Sequence, residues 1–79
     1  MQKDIENIKI ELSNRIYSLF IKQYGGDYIK FAKASKCDEK TIKKLFNHEQ
    51  GLTFNLFFKI CYALEKQPSD LMDGLKLKL

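Results

Sequence analysis

The chain has 79 residues, of which 44% are hydrophobic, 13% aromatic and 30% charged, and it carries a net charge of +4. This reads as one small domain, 1–79, too rich in apolar residues to be a disordered tail and too short to hold a catalytic unit beside a regulatory one. No apolar run is long enough to span a bilayer, the polar start MQKDIENIK does not read as a secretory signal, and Cys37 and Cys61 are too few and too poorly spaced for a disulfide framework or a metal site.

One proline and four glycines leave little punctuation, which favours helices over a turn-rich sheet fold. Residues 3–24 predict one long helix. Ile5, Ile8, Leu12, Ile16 and Leu19 recur at steps of three and four, and Ile10, Tyr17, Ile21 and Tyr24 make a second stripe. Two stripes mean a widely buried helix or a face kept for a partner. Gly25-Gly26 stops it. Asp27 is placed to cap a second helix near 28–35, with Ile29, Phe31, Ala32 and Ser35 inward and Lys30, Lys33 and Ala34 outward. After the turn Ser35-Lys36-Cys37, Asp38 caps a third helix over 39–47, whose inner face is Ile42, Leu45 and Phe46. At 100° per residue, Lys40, Lys43, Lys44 and Asn47 fall on the opposite arc. A loop from His48 to Leu52 leads to Thr53, the expected cap of a fourth helix over 54–65. Phe54, Phe57, Ile60, Cys61 and Leu64 fit its inner face, which leaves Leu56, Phe58, Tyr62 and Ala63 as surplus apolar surface. Gln67-Pro68-Ser69 restarts the chain into a short helix at Asp70-Leu71-Met72. The tail 73–79, with Leu75, Leu77 and Leu79 alternating with lysine, fits either an edge strand paired to a second chain or a frayed end.

The charge is unevenly placed. Residues 1–27 and 45–79 are each balanced, so the whole +4 excess lies in residues 28–44, where six lysines face only Asp38 and Glu39. A local basic field of this kind suits a polyanion, nucleic acid first and acidic lipid second. A solvated lysine-rich surface has the same composition. Two short helices joined by a three-residue turn, the second basic on its outer arc, make the helix-turn-helix arrangement. Its close crossing needs a small residue early in the first helix (Ala32), an inward residue in the turn (Cys37) and inward apolar residues in the second helix (Ile42 and Leu45).

Those residues, with Phe31, Asp38, Thr41, Phe46-Asn47, Phe54, Phe57, Ile60, Ala63-Leu64 and Gln67-Pro68-Ser69-Asp70-Leu71, resemble the lambda-repressor-like, Cro/XRE-type helix-turn-helix proteins. The likeness runs without gaps from Asp27 to Met72, and Arg15-Ile16 and Leu19 extend it into the first helix. It implies an all-α, compact five-helix lambda-repressor-like domain, here with an extended N-terminal helix and the helix-turn-helix unit at 28–47. It also implies that the third helix enters the major groove of double-stranded DNA, usually in a dimer on a two-fold operator. By position, Glu39, Lys40 and Lys44 would face base edges, and Thr41, Lys43 and Asn47 would meet bases or backbone. Tyr28 stands where the family often has a phosphate-clamping glutamine, and His48, Glu49 and Gln50 fall near the second phosphate strand. Lys36 and His48 occupy positions that are commonly glycine, because the chain needs φ > 0 there. Phe46 stands where many members place a glutamate that pairs with the arginine of the first helix.

Bland readings stand beside these. Lys40, Lys43 and Lys44 also fit a plain solvated face, Asn47 a helix C-cap, Tyr28 packing, and His48 a polar loop. Asp38 and Glu39 either read DNA or simply stabilise the positive end of the third helix. The expected function is sequence-specific double-stranded DNA binding by a small cytoplasmic, nucleoid-associated transcriptional regulator, a homodimeric repressor. The alternative is a protein-interaction module on the same fold, such as an antitoxin, with a toxin or anti-repressor as partner. Phe58, Leu56 and Tyr62, with Leu75 and Leu77 of the tail, are the candidates for a subunit contact. No enzyme activity, cofactor, metal or membrane partner is expected: there is no phosphate-binding glycine loop, no ligand cluster and no nucleophile–base pair.

Overall fold

A computed structural model describes residues 2–77, with α1 at Gln2–Tyr24, α2 at Tyr28–Ala34, α3 at Glu39–Phe46, α4 at Phe54–Leu64 and α5 at Pro68–Met72. Each helix begins and ends for a local reason. Asp27, Asp38 and Thr53 sit in extended backbone and accept hydrogen bonds from the amides of Lys30, Thr41 and Leu56, each the third residue of the helix that follows. Ahead of α5 the Gln67 amide donates to Asp70 Oδ2 (3.1 Å), and Pro68 begins the helix where its missing N–H is not needed.

Three helices in succession end in the same motif. The amide of Lys36 bonds back to Lys33 and that of Cys37 to Ala32, at 3.2 and 3.1 Å; His48 and Glu49 repeat the pair on Leu45 and Lys44, and Glu65 and Lys66 on Tyr62 and Cys61. These are Schellman closures, which place one residue in the left-handed region. Here that residue is Lys36 (φ 54), His48 (φ 60) or Glu65 (φ 56), and none of them is glycine. α1 and α5 run into glycine in that region instead, Gly25 at φ 60 and Gly74 at φ 82.

The core is built on Leu12, Ile16 and Phe20, one i, i+4 stripe of α1. Phe31 and Ala32 of α2, Ile42 and Leu45 of α3, Leu71 of α5 and six residues of α4 close over it. Phe20 is wholly buried and is the hub of an aromatic cluster, with ring centres 4.9 Å from Tyr28, 4.9 Å from Phe31 and 5.4 Å from Phe46. The α1 stripe thus runs through Phe20 rather than through Ile5 and Leu19: Ile5 is exposed and Leu19 half-buried. Polar side chains of α1 close the ends of other helices. Tyr24 Oη donates to the Ala63 carbonyl (2.6 Å), Gln23 Nε2 to Leu64 (3.0 Å), and Arg15 Nη1 to Leu71 (3.0 Å) and to Asp73. With phenylalanine at position 46, Arg15 turns to these carbonyls and to Glu11 (3.8 Å), while Phe46 joins the Phe20 cluster.

Several expectations are corrected. Ile29, read as inward, is 57% exposed, and Phe54 is 82% exposed. Leu56 and Ala63, read as surplus surface, are buried. The inner arc of α4 is therefore rotated by about 50° from the expected one: it is centred on Ile60 and runs from Leu56 and Ala63 round to Cys61. Leu56 accordingly cannot serve a subunit contact. Leu75 packs half-buried against the core, and no strand forms at residues 75–77; the rest of the alternating tail, Lys78 and Leu79, lies outside the described residues.

Candidate nucleic-acid interface

The helix-turn-helix geometry follows from what fills the α2–α3 corner. Ala32 is buried where the two helices meet, and Ser35 closes α2 with its side chain fully enclosed. Cys37 turns half inward against the core. Burial, with the carboxylate of Asp38 next to it, pushes the Cys37 thiol up from its ordinary value, and burial does the same at Cys61. Both therefore stay protonated near neutral pH and behave as packing residues. Ile42 and Leu45 hold α3 from behind, and Ser13 Oγ of α1 reaches the Leu45 carbonyl at 3.5 Å.

The candidate residues divide by what they touch. Asp38 is committed to structure: its Oδ1 accepts from the Thr41 hydroxyl (2.7 Å) and the Thr41 amide (2.8 Å). These two hydrogen bonds, with Lys40 and Lys44 nearby, hold its carboxyl below the usual aspartate range. Thr41 is occupied by the same cap. Glu39 binds Lys43 across one helical turn, Oε1 to Nζ 3.0 Å, and the Lys43 ammonium also lies 5.3 Å from the centre of the Tyr28 ring. Tyr28 itself packs on Phe20 and Phe46. Glu39, Lys43 and Tyr28 thus form a connected edge joining α3 to the start of α2. Lys40 and Lys44 are exposed, and among the described residues neither takes part in an ion pair. Asn47 is the C-cap of α3, His48 is exposed in the left-handed closure, and Gln50 is half-buried in the loop that follows.

The arrangement is an exposed helix with a committed acidic N-terminus, one lysine neutralised along its edge and two lysines left open. Exposed Lys30 and Lys33 on α2 extend the basic surface. An array of this kind can hold phosphates by charge and bring the ends of Lys40 and Lys44 to the edges of bases. The sequence pattern found the lysines but not their inequality. The signal was available: Glu39 stands four residues before Lys43, the favourable orientation for a helical ion pair. Among the described residues, no helix is long and apolar enough to cross a membrane.

A search of curated proteins and a search of solved structures each gave no match. A family model of the Cro/C1-type HTH DNA-binding domain does match, over residues 18–74. That stretch takes in the end of α1, the whole α2–turn–α3 unit, α4 and α5. The chain belongs to the Cro/C1-type helix-turn-helix DNA-binding domain family.

Proposed function

We propose that this chain is a sequence-specific double-stranded DNA-binding regulator that works as a homodimer and represses by occupying promoter DNA. The observation that carries the reading is the exposed pair Lys40 and Lys44 on the outer arc of α3, neither of which is held in an ion pair among the described residues. Lysines of this kind supply affinity through counterion release, and specificity comes from base edges reached from the same helix. Occupancy alone is enough for repression where the site overlaps a promoter.

Fluorescence anisotropy on labelled duplexes enriched from a random pool tests it. Affinity is expected to drop by about a hundredfold or more as salt rises fourfold. Replacing Lys40 and Lys44 together by alanine weakens binding by at least about tenfold and lowers the salt slope by about two. The same change at Lys22 and Lys76 has a smaller effect on both. Equal losses from the two pairs would remove α3 from the role given to it here.

A further inference from the structure

A carboxylate stands at the first turn of α3, and what lies behind it is built. Glu39 opens the helix and is half-buried. The Lys43 ammonium meets its Oε1 at 3.0 Å and lies 5.3 Å from the centre of the Tyr28 ring. That ring rests on Phe20 and Phe46, at 4.9 and 6.2 Å between centres, and Phe20 is wholly buried. From the core outward the order is therefore packed ring, ammonium, carboxylate. The neighbouring polar groups do not compete for it, because Asp38 Oδ1 and Thr41 satisfy each other. A bare carboxylate is a poor fit for DNA, since phosphates repel it. With the Lys43 ammonium beside it the pair is neutral. An ionised carboxylate offers about four acceptor sites, so one ammonium leaves most of that capacity unused.

We infer that Glu39 selects a cytosine in the bound DNA, and that Lys43, seated against Tyr28, is the positioning residue that lets the carboxylate approach it. This rests on the DNA reading above and deepens it by naming a base. The first residues of the second helix of a helix-turn-helix unit are the ones that reach base edges in the major groove. A carboxylate can only accept there. Guanine presents N7 and O6 and thymine presents O4, all acceptors, so both repel it; only the amines at cytosine N4 and adenine N6 donate. Adenine sets the acceptor N7 beside its amine, where it faces the second carboxylate oxygen. Cytosine carries no acceptor of its own at that edge, and is the better fit. Lys40 and Lys44 carry donors alone and suit guanine, so Glu39 adds a discrimination that they cannot supply.

Enrichment of duplexes from a random pool, followed by anisotropy on the enriched sequence and its single-position variants, reads the result. The wild type is expected to prefer cytosine at one position by about tenfold or more. Replacing that cytosine with pyrimidinone, which lacks only the exocyclic amine, weakens binding by a similar factor; this arm uses the unaltered protein. Glu39→Ala binds the two duplexes within about twofold of each other. Glu39→Gln moves the preference at that position alone to adenine, whose N6 and N7 match a side-chain amide. Lys43→Met removes the cytosine preference while Glu39 is present and alters no base preference in Glu39→Ala, whereas Lys43→Arg keeps it. A lysine that served phosphates alone would lower affinity for every sequence equally. Base preferences that ignore Glu39, or a Glu39-dependent position at which the wild type prefers another base, overturn the inference and leave the DNA reading standing, as does a cytosine preference that survives Lys43→Met. A wild type that enriches no sequence defeats the sequence-specific reading itself, and the inference with it.

Discussion

α3 and α4 begin and end alike. Asp38 and Thr53 cap them through side-chain oxygens, His48 and Glu65 close them in the left-handed region, and both lay one face on the core stripe of α1. Between those ends they diverge. The eight residues of α3 bury Ile42 and Leu45 and turn lysines outward. The eleven of α4 bury six side chains and still leave three aromatic rings in water. The contrast separates two jobs that one apolar pattern conceals. A helix needs only a narrow buried strip to be held in place; what the rest of its circumference carries is free to answer to something outside the monomer.

The sharpest way to break this contrast is to treat an inner and an outer phenylalanine alike. Phe20 is fully buried at the centre of the aromatic cluster, whereas Phe54 is 82% exposed. Phe20→Ala removes about 3–5 kcal/mol, comparable to the whole net stability of a domain this small, so the variant is expected to be unfolded at room temperature. Phe54→Ala, measured by urea unfolding at dilute, monomeric concentration, is expected to stay within about 0.5 kcal/mol of the wild type. A large loss there would mean that the ring belongs to the monomer core.

A smaller effect sharpens the shared feature, the helix ends. A side chain in the left-handed region costs about 1–2 kcal/mol, and glycine relieves this while giving back part of it as unfolded-chain entropy. Lys36→Gly is therefore expected to stabilise by about 0.5–1 kcal/mol, raising Tm by about 2–8 °C. Circular dichroism melts check it. A clear loss would show that the turn depends on the Lys36 side chain in a way its exposed position does not suggest.

These helix ends also mark how far the sequence could be read. Side-chain caps are local chemistry, and Asp27, Asp38 and Thr53 were placed correctly from residue type and position alone. The left-handed geometry at Lys36 and His48 was legible through the family resemblance, but Glu65 was read as the last residue of α4. The Pro68 that follows three residues later was the signal for an earlier stop. Rotation about a helix axis was least legible. Phe54 and Leu56 exchange roles under a turn of about 50°, and only packing of α4 against α1, α2 and α5 decides it. Phe20 was missed for a related reason: Leu19 beside it fits an apolar stripe equally well, and the pattern cannot tell which of two adjacent residues points inward. In the candidate interface the lysines were visible, whereas their division into paired Lys43 and open Lys40 and Lys44 depends on side-chain distances.

The smallest effect concerns the one chemical difference between the two caps. α4 is capped by an uncharged hydroxyl and α3 by a carboxylate. The hydrogen bonds from Thr41 hold Asp38 below its ordinary value, so its folded pKa lies under its unfolded one. The stability it adds is then fully present above the ordinary aspartate range, near about 3.9, and is lost as pH falls through the folded value. In acid the start of α3 is expected to loosen while the start of α4 holds. Hydrogen-exchange protection at the Thr41 and Leu56 amides, followed from neutral pH into acid, separates the two. Protection at Thr41 should decline in the wild type and stay flat in Asp38→Asn, which keeps an acceptor for the amide but has no proton to gain. Leu56 should hold level in both. A matching decline at Leu56 would mean that acid opens the whole core at once, and that the titration of Asp38 does not set the stability of α3.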